Sequence, residues 1–247
     1  AAGELWEDGL IDALIERYKE ERGNELANKY LNTFSAGYRE SFFPSIAVKD
    51  IGFIEGLSEE DSGLAMNAYQ TVTTNNNVIG LKLYHWHTTV PLSDTLPILE
   101  NMGLRVIEEN PYPIIFKDKK QVWINDLKMI CIDDCISNFD DIKDLFQETF
   151  SHVWTGAAEN DILNSLTLYA KLSWRQVVML RAYTKYIKQI GIAFGTDYIF
   201  NALIKHSQIA KQLVDYFYTK FDPEFKGADR VKPMRNIAKS ILAALND

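Results

Sequence analysis

The stretch Pro91–Tyr112, PLSDTLPILENMGLRVIEENPY, reads as a short helix running directly into a strand. Ser93 or Asp94 is placed to offer an N-cap oxygen to backbone N–H groups that have no partner inside the helix. With Asp94 as the cap, Pro97 falls at the third helical position, where a missing N–H costs nothing. Leu96, Leu99 and Met102 recur at helical spacing. Gly103 then supplies a left-handed C-cap, because a residue without Cβ takes positive φ cheaply. Leu104, Val106 and Ile107 open an extended run that is expected to end at Asn110-Pro111. Such a transition belongs in a layered domain of helices and sheet. The stretch itself contains no reactive constellation.

Upstream of it the apolar period is 2. Leu64, Met66, Ala68 and Gln70 alternate with their neighbours, as do Val78, Gly80, Lys82 and Tyr84. The polar run Thr73–Asn77 between them predicts a β-hairpin, since asparagine tolerates turn geometry. Downstream, Pro113–Lys117 and Gln121–Asp133 flank Asp118-Lys119-Lys120 as a second hairpin, and Ile142–Trp154 returns to a helical rhythm. Residues 62–155 therefore read β-β-α-β-β-α, a small sandwich with helices on one face of an antiparallel sheet.

Both flanks are helical. Leu5–Glu21 carries a broad apolar stripe, Gly23 is expected to interrupt it, and further helical pieces run to Leu57. Beyond Gly156, helices are expected over Ile162–Lys171, Ser173–Gln189, Thr196–Lys205, Gln208–Phe221 and about Arg230–Leu245. Ser173 is the expected N-cap of the longest of these, with Leu172 as a staple residue against Val177. Apolar residues circle this helix almost completely, from Trp174 to Ile190, which predicts a buried central helix. The fold class is α+β, in three parts: an N-terminal helical segment (1–60), the α/β module (61–156) and a helical bundle or connector (157–247).

Composition excludes several functions. A formal net charge of −8 and a pI near 5.1 argue against a nucleic-acid partner, which needs a positive footprint. The basic run Lys226–Lys239 has five cations and one acid and reads as a solvated helix start or linker. No apolar run approaches the roughly 20 residues of a membrane helix. Cys131 and Cys135, four apart across a strand end, make no disulfide framework, and a bridge between them is not expected. Sparse cysteine and no signal segment suggest the cytoplasm. Ala-Ala-Gly at the start and a last helix stopping abruptly at Asp247 suggest a piece of a longer chain.

Candidate chemistry is thin. His85 and His87 would share one face of a strand, a spacing that can chelate a metal, but nothing brings a further ligand to that face. Arg181, within an apolar helix, cannot shed its charge and demands a carboxylate or carbonyl partner, with Glu148, Glu159 and Asp161 nearest in sequence. Glu108-Glu109 cannot form a shared-proton pair, because adjacent strand residues face opposite ways. No G-x-G-x-x-G, P-loop, G-x-S-x-G or H-E-x-x-H pattern occurs. No catalytic, cofactor-binding or metal residue is assigned.

Function enters by resemblance. Pro91–Tyr112, the run WRQVVMLRAYTKYIKQIGIAFGTDYIFNALIKHSQIAKQL, the Phe221–Pro223 triplet FDP and the Phe34–Glu55 stretch FSAGYRESFFPSIAVKDIGFIE resemble the large NAD-dependent glutamate dehydrogenases of bacteria. The resemblance implies a non-catalytic piece of the N-terminal half, with an ACT-like module and helical motifs, ahead of a catalytic domain. It implies a parent reaction in which L-glutamate, water and NAD give 2-oxoglutarate, ammonium and NADH, with NAD bound outside this piece. Expected partners are other domains or subunits of the same enzyme. ACT modules often bind amino acids near the first strand–helix loop, which puts a candidate effector site at Thr88, Thr89, Ser93 and Asp94. The alternative is a free-standing amino-acid-sensing or interaction module.

Overall fold

A computed structural model describes residues 2–60, 63–71, 78–132, 138–224 and 226–246. The chain packs as two units. The first comprises Ala1–Asp94 and Val106–Ile130, the second Thr95–Arg105 and Cys131–Asp247.

In the first unit, helices α1 (Ala2–Tyr18), α2 (Glu20–Tyr30), α3 (Ala36–Ser41) and α4 (Pro44–Glu55) precede strands β1 (Ala65–Gln70) and β2 (Val78–Trp86). The break between α1 and α2 falls at Lys19, with φ 69°, and not at Gly23 as expected. Gly23 lies inside α2 because a Cβ there would stand 2.7 Å from the Ile15 Cα. Its smallness serves the close approach of two helices rather than a turn. Ser35 caps α3 by accepting from the Tyr38 N–H at 3.3 Å, and Pro44 opens α4, where its missing N–H has no helical partner to lose.

Strands β3 (Leu104–Ile115) and β4 (Gln121–Cys131) complete an antiparallel sheet of order β1-β2-β4-β3. Asn110-Pro111 does not end β3. The strand continues through Pro111 and Pro113 because it is an edge, where a residue without N–H breaks no ladder on its open side. The Thr73–Asn77 turn lies outside the described residues. Lys82 pairs in register with Asn67 on one side and Asp126 on the other, and Tyr84 with Ala65 and Ile124. One buried cluster joins Leu10, Leu14, Leu26, Tyr30, Tyr38, Ile51 and Ile54 of the helices to Tyr84, Val122 and Ile124 of the sheet. The N-terminal helices thus cover one face of the strands.

The second unit holds most of α5 (Leu92–Asn101), then α6 (Lys143–Trp154), a 3-10 turn (Ile162–Ser165), α7 (Leu166–Tyr169), α8 (Trp174–Gln189), α9 (Thr196–Lys205), α10 (Ser207–Phe221) and α11 (Val231–Ala244). Helix α5 begins at Leu92, so Pro97 sits inside it, past the first turn, and removes a backbone bond to Ser93. Gly103 has φ +85° as expected, and a Cβ there would meet the Tyr169 hydroxyl at 2.9 Å. Cys131 is disulfide-bonded, contrary to expectation; Cys135 lies outside the described residues. Ser173 and Gln176 form a capping box on α8, and both Leu172 and Val177 are buried. Helix α8 is not central, however: Val177, Leu180, Arg181 and Thr184 are buried while Tyr183, Tyr186 and Ile190 are exposed. Helix α11 buries none of its residues, although its apolar side chains fall on one face.

Candidate functional site

The loop after β2 is fixed from beneath. Asn125 of β4, fully buried, accepts the Val90 N–H at 3.2 Å and donates to the Glu109 carboxylate at 2.9 Å. The Asp94 N–H reaches the Pro91 carbonyl at 3.1 Å, and the Ser93 hydroxyl donates to the Asp94 carboxylate at 3.3 Å. Thr88, Ser93 and Asp94 are exposed and Thr89 is half-buried. Thr88 and Thr89 thus lie on the loop and Ser93 and Asp94 in the first turn of α5, with polar groups that largely face solvent, beside a Val90 anchor that sequence reasoning did not single out.

His85 and His87 do not share a face. Strand β2 ends at Trp86, and His87 takes φ 70°, which breaks the alternation. His85 Nδ1 lies 3.1 Å from the Thr88 carbonyl, whereas His87 Nε2 lies 3.9 Å from Glu59. Among the described residues no group of three or more His, Cys, Asp or Glu could hold a metal ion.

A buried charge cluster lies in the interior of the first unit. Lys82 projects from β2 toward α4, and its Nζ stands 2.6 Å from Asp50 Oδ2, with side chains 2% and 1% exposed. Asp50 also accepts the Tyr84 hydroxyl at 2.7 Å and the Tyr38 hydroxyl. The Lys82 ammonium sits 3.7 Å from the centre of the Phe42 ring. Burial lowers the Lys82 pKa, opposed by the charges of Asp50 and Asp126. Burial, then Asp50, raises Tyr38 and Tyr84 well above the usual tyrosine value. Alongside, Tyr69 lies across Gly80, where a Cβ would be 2.1 Å from its ring, and donates to Asp126 at 2.5 Å while Lys128 reaches its hydroxyl. The cluster is closed to substrate. Its chemistry is to tie α3 and α4 to β2: two charges removed from water are tolerable only when each is paired and hydrogen-bonded. Sequence reasoning missed it because Lys82 and Asp50 are 32 residues apart. The one local signal was a lysine at an inward position of an otherwise apolar strand.

In the second unit Arg181 is 3% exposed and forks onto Asp161, Nε to Oδ2 at 2.6 Å and Nη2 to Oδ1 at 2.9 Å, with Asn164 Oδ1 at 3.0 Å. Of the three acids nearest in sequence, Asp161 is the partner. Glu159 lies at 4.0 Å, and Glu148 instead accepts from the Trp174 indole at 3.0 Å.

A four-stranded sheet in a β-β-α-β-β-α order, preceded and followed by helices, defines a small α+β module set between helical segments. Family models match in the same order: glutamate dehydrogenase helical motif 2 over residues 13–57, the glutamate dehydrogenase ACT3 domain over 63–141 and helical motif 3 over 158–223. The chain is similar to the NAD-specific glutamate dehydrogenases of Halomonas elongata, at 39% identity over 88% of this chain, and Pseudomonas aeruginosa, at 36% over 98%. The corresponding protein of Mycobacterium tuberculosis is 30% identical over 99% of the chain. The chain spans only 13% to 15% of the length of these relatives. It belongs to the family of large NAD-specific glutamate dehydrogenases.

Proposed function

We propose that this chain is a regulatory and assembly region of a large NAD-dependent glutamate dehydrogenase and carries no chemistry of its own. The parent reaction would convert L-glutamate, water and NAD to 2-oxoglutarate, ammonium and NADH in the cytoplasm, with NAD held outside this region. The observation that carries the reading is the ordered match to two helical motifs around an ACT3 domain. The geometry agrees with it: Tyr38 and Tyr84, both raised well above the usual tyrosine value, and Lys82 beside them are sealed from solvent. Partners would be other domains or subunits of the enzyme, received on the apolar side chains left exposed along α8–α11, such as Tyr186, Ile190, Phe221 and Leu242. An amino-acid effector would sit at Thr88, Thr89, Ser93 and Asp94, above the Asn125 anchor.

Incubating the purified chain with L-glutamate and NAD is expected to give no NADH; glutamate-dependent NADH production would overturn the reading. For the effector, thermal unfolding in the presence of single amino acids at millimolar concentration is expected to show stabilisation by at least one of them. Asp94→Ala should abolish that stabilisation. A flat response to all of them would leave an assembly role alone.

A further inference from the structure

The first and last helices carry opposite charge in the same pattern. In α1, Leu5, Asp8, Asp12 and Glu16 follow one another at intervals of three or four residues, which sets them on one helical face, and all four are exposed. In α11, Lys232, Arg235, Lys239 and Leu242 do the same, and all four are exposed. No acid interrupts α11 from Val231 to Ala244, on a chain of net charge −8. Among the described residues none of these six charged side chains has a partner of opposite sign. Each stripe costs its own helix stability, because like charges three or four residues apart repel. Lys232 in the first turn of α11 also opposes the helix dipole, which favours acids there. The compensation for both stripes therefore lies outside the two helices that carry them.

The two faces match in order as well as in sign. Laid antiparallel, they set Leu5 against Leu242, Asp8 against Lys239, Asp12 against Arg235 and Glu16 against Lys232. At the helical rise the acids span about 12 Å and the cations about 10 Å, a difference that flexible lysine side chains absorb. A parallel arrangement would instead place Leu5 on Lys232 and Glu16 on Leu242, a charge against a leucine at each end. The antiparallel one also aligns the two helix dipoles favourably. We propose that α1 of one copy of this chain pairs antiparallel with α11 of a second copy, through three ion pairs closed at one end by two leucines. Leu5 is 75% and Leu242 62% exposed, so each has an apolar surface to cover. Surface ion pairs are individually weak, and the contact supplies register and partner choice more than affinity. The inference deepens the assembly role proposed above and rests on that reading.

The test is sedimentation of the whole chain at about 0.02 M and about 0.5 M salt. Self-association with a Kd on the order of 100 μM is expected at low salt, and association about tenfold weaker at high salt, where the charges are screened. Asp12→Arg and Arg235→Asp are each expected to weaken association about tenfold at unchanged melting temperature, since neither side chain has a partner within the chain. The two substitutions combined should recover it to within about threefold. The combined variant keeps the original net charge, so recovery reports the pairing and not the overall charge. A monomer at both salt concentrations overturns the pairing and, with it, self-assembly through this region. Association that both single substitutions leave within about twofold, or that the combined variant fails to recover, overturns the pairing alone and leaves assembly to the apolar side chains of α8–α11.

Discussion

Each unit of this molecule buries an ion pair, and the two are built differently. Lys82–Asp50 joins a strand to a helix 32 residues away, and both side chains are hidden to within 2%. Arg181–Asp161 joins residues 20 apart; the arginine is 3% exposed, but its aspartate is 22% exposed. The arginine solves its own desolvation with a planar fork that matches one carboxylate and one amide oxygen. The lysine has a point charge, and the rest of the cluster is arranged around its partner: two tyrosine hydroxyls complete Asp50, and the Phe42 ring faces the ammonium. A pair touching water can lose a member and be rescued by solvent. A pair sealed on every side cannot.

That difference is easiest to break at Lys82. Lys82→Ala leaves Asp50 buried with an uncompensated charge and is expected to cost about 3–5 kcal/mol in urea unfolding, whereas Lys82→Met combined with Asp50→Leu should recover most of the loss. A single-variant cost below about 1 kcal/mol would mean that water reaches the cluster.

Alkaline pH probes the same cluster without mutating the charges. Tyr38 and Tyr84 have folded pKa values raised above the unfolded 10.0, so their contribution is fully present below pH 10 and is lost as pH rises toward the folded values. Each tyrosine should add about 1.4 kcal/mol of lost stability per pH unit above 10. The lowered Lys82 pKa acts in the opposite sense near its unfolded 10.5, so the readout is the difference between wild type and Tyr84→Phe, which should show the shallower fall. Identical slopes would remove Tyr84 from the cluster's energetics.

The water-touched pair should respond less. Asp161→Ala is expected to cost about 1.5–3 kcal/mol, the range of a charged hydrogen bond, because solvent enters at the exposed edge of the aspartate. A loss equal to that of Lys82→Ala would erase the distinction between the two units.

A smaller effect separates packing from propensity. Alanine is the better helix former by about 1 kcal/mol, so Gly23→Ala would stabilise α2 in isolation. In the folded chain its Cβ meets Ile15 at 2.7 Å, and the expected outcome is a loss of about 1–3 kcal/mol. The sign alone decides whether the α1–α2 approach is as close as described.

The opening stretch, Pro91–Tyr112, divides what could be read from what could not. Its helix, its strand and the left-handed Gly103 were legible, because each depends on neighbours within a few residues. The cap position and the strand's end were misread. Asp94 and Pro97 fit an N-terminal register equally well on local grounds, and Asn110-Pro111 stops a central strand but not an edge strand. Helix α8 shows the same limit: an almost complete ring of apolar residues predicted burial, yet Tyr186 and Ile190 are exposed. Periodicity reports which faces are apolar, not which are covered.

The sequence by itself determined the α+β class, the order of elements, the cap at Ser173, Arg181's need for an acid, and the family. These rest on local backbone geometry, periodic apolar residues and residue-by-residue likeness. The tertiary structure alone decided that Asp50 is the partner of Lys82, that Asn125 anchors the loop at Val90, and that Gly23 lets two helices touch. Each of those contacts joins residues brought together by packing, and no spacing along the chain carries that distance.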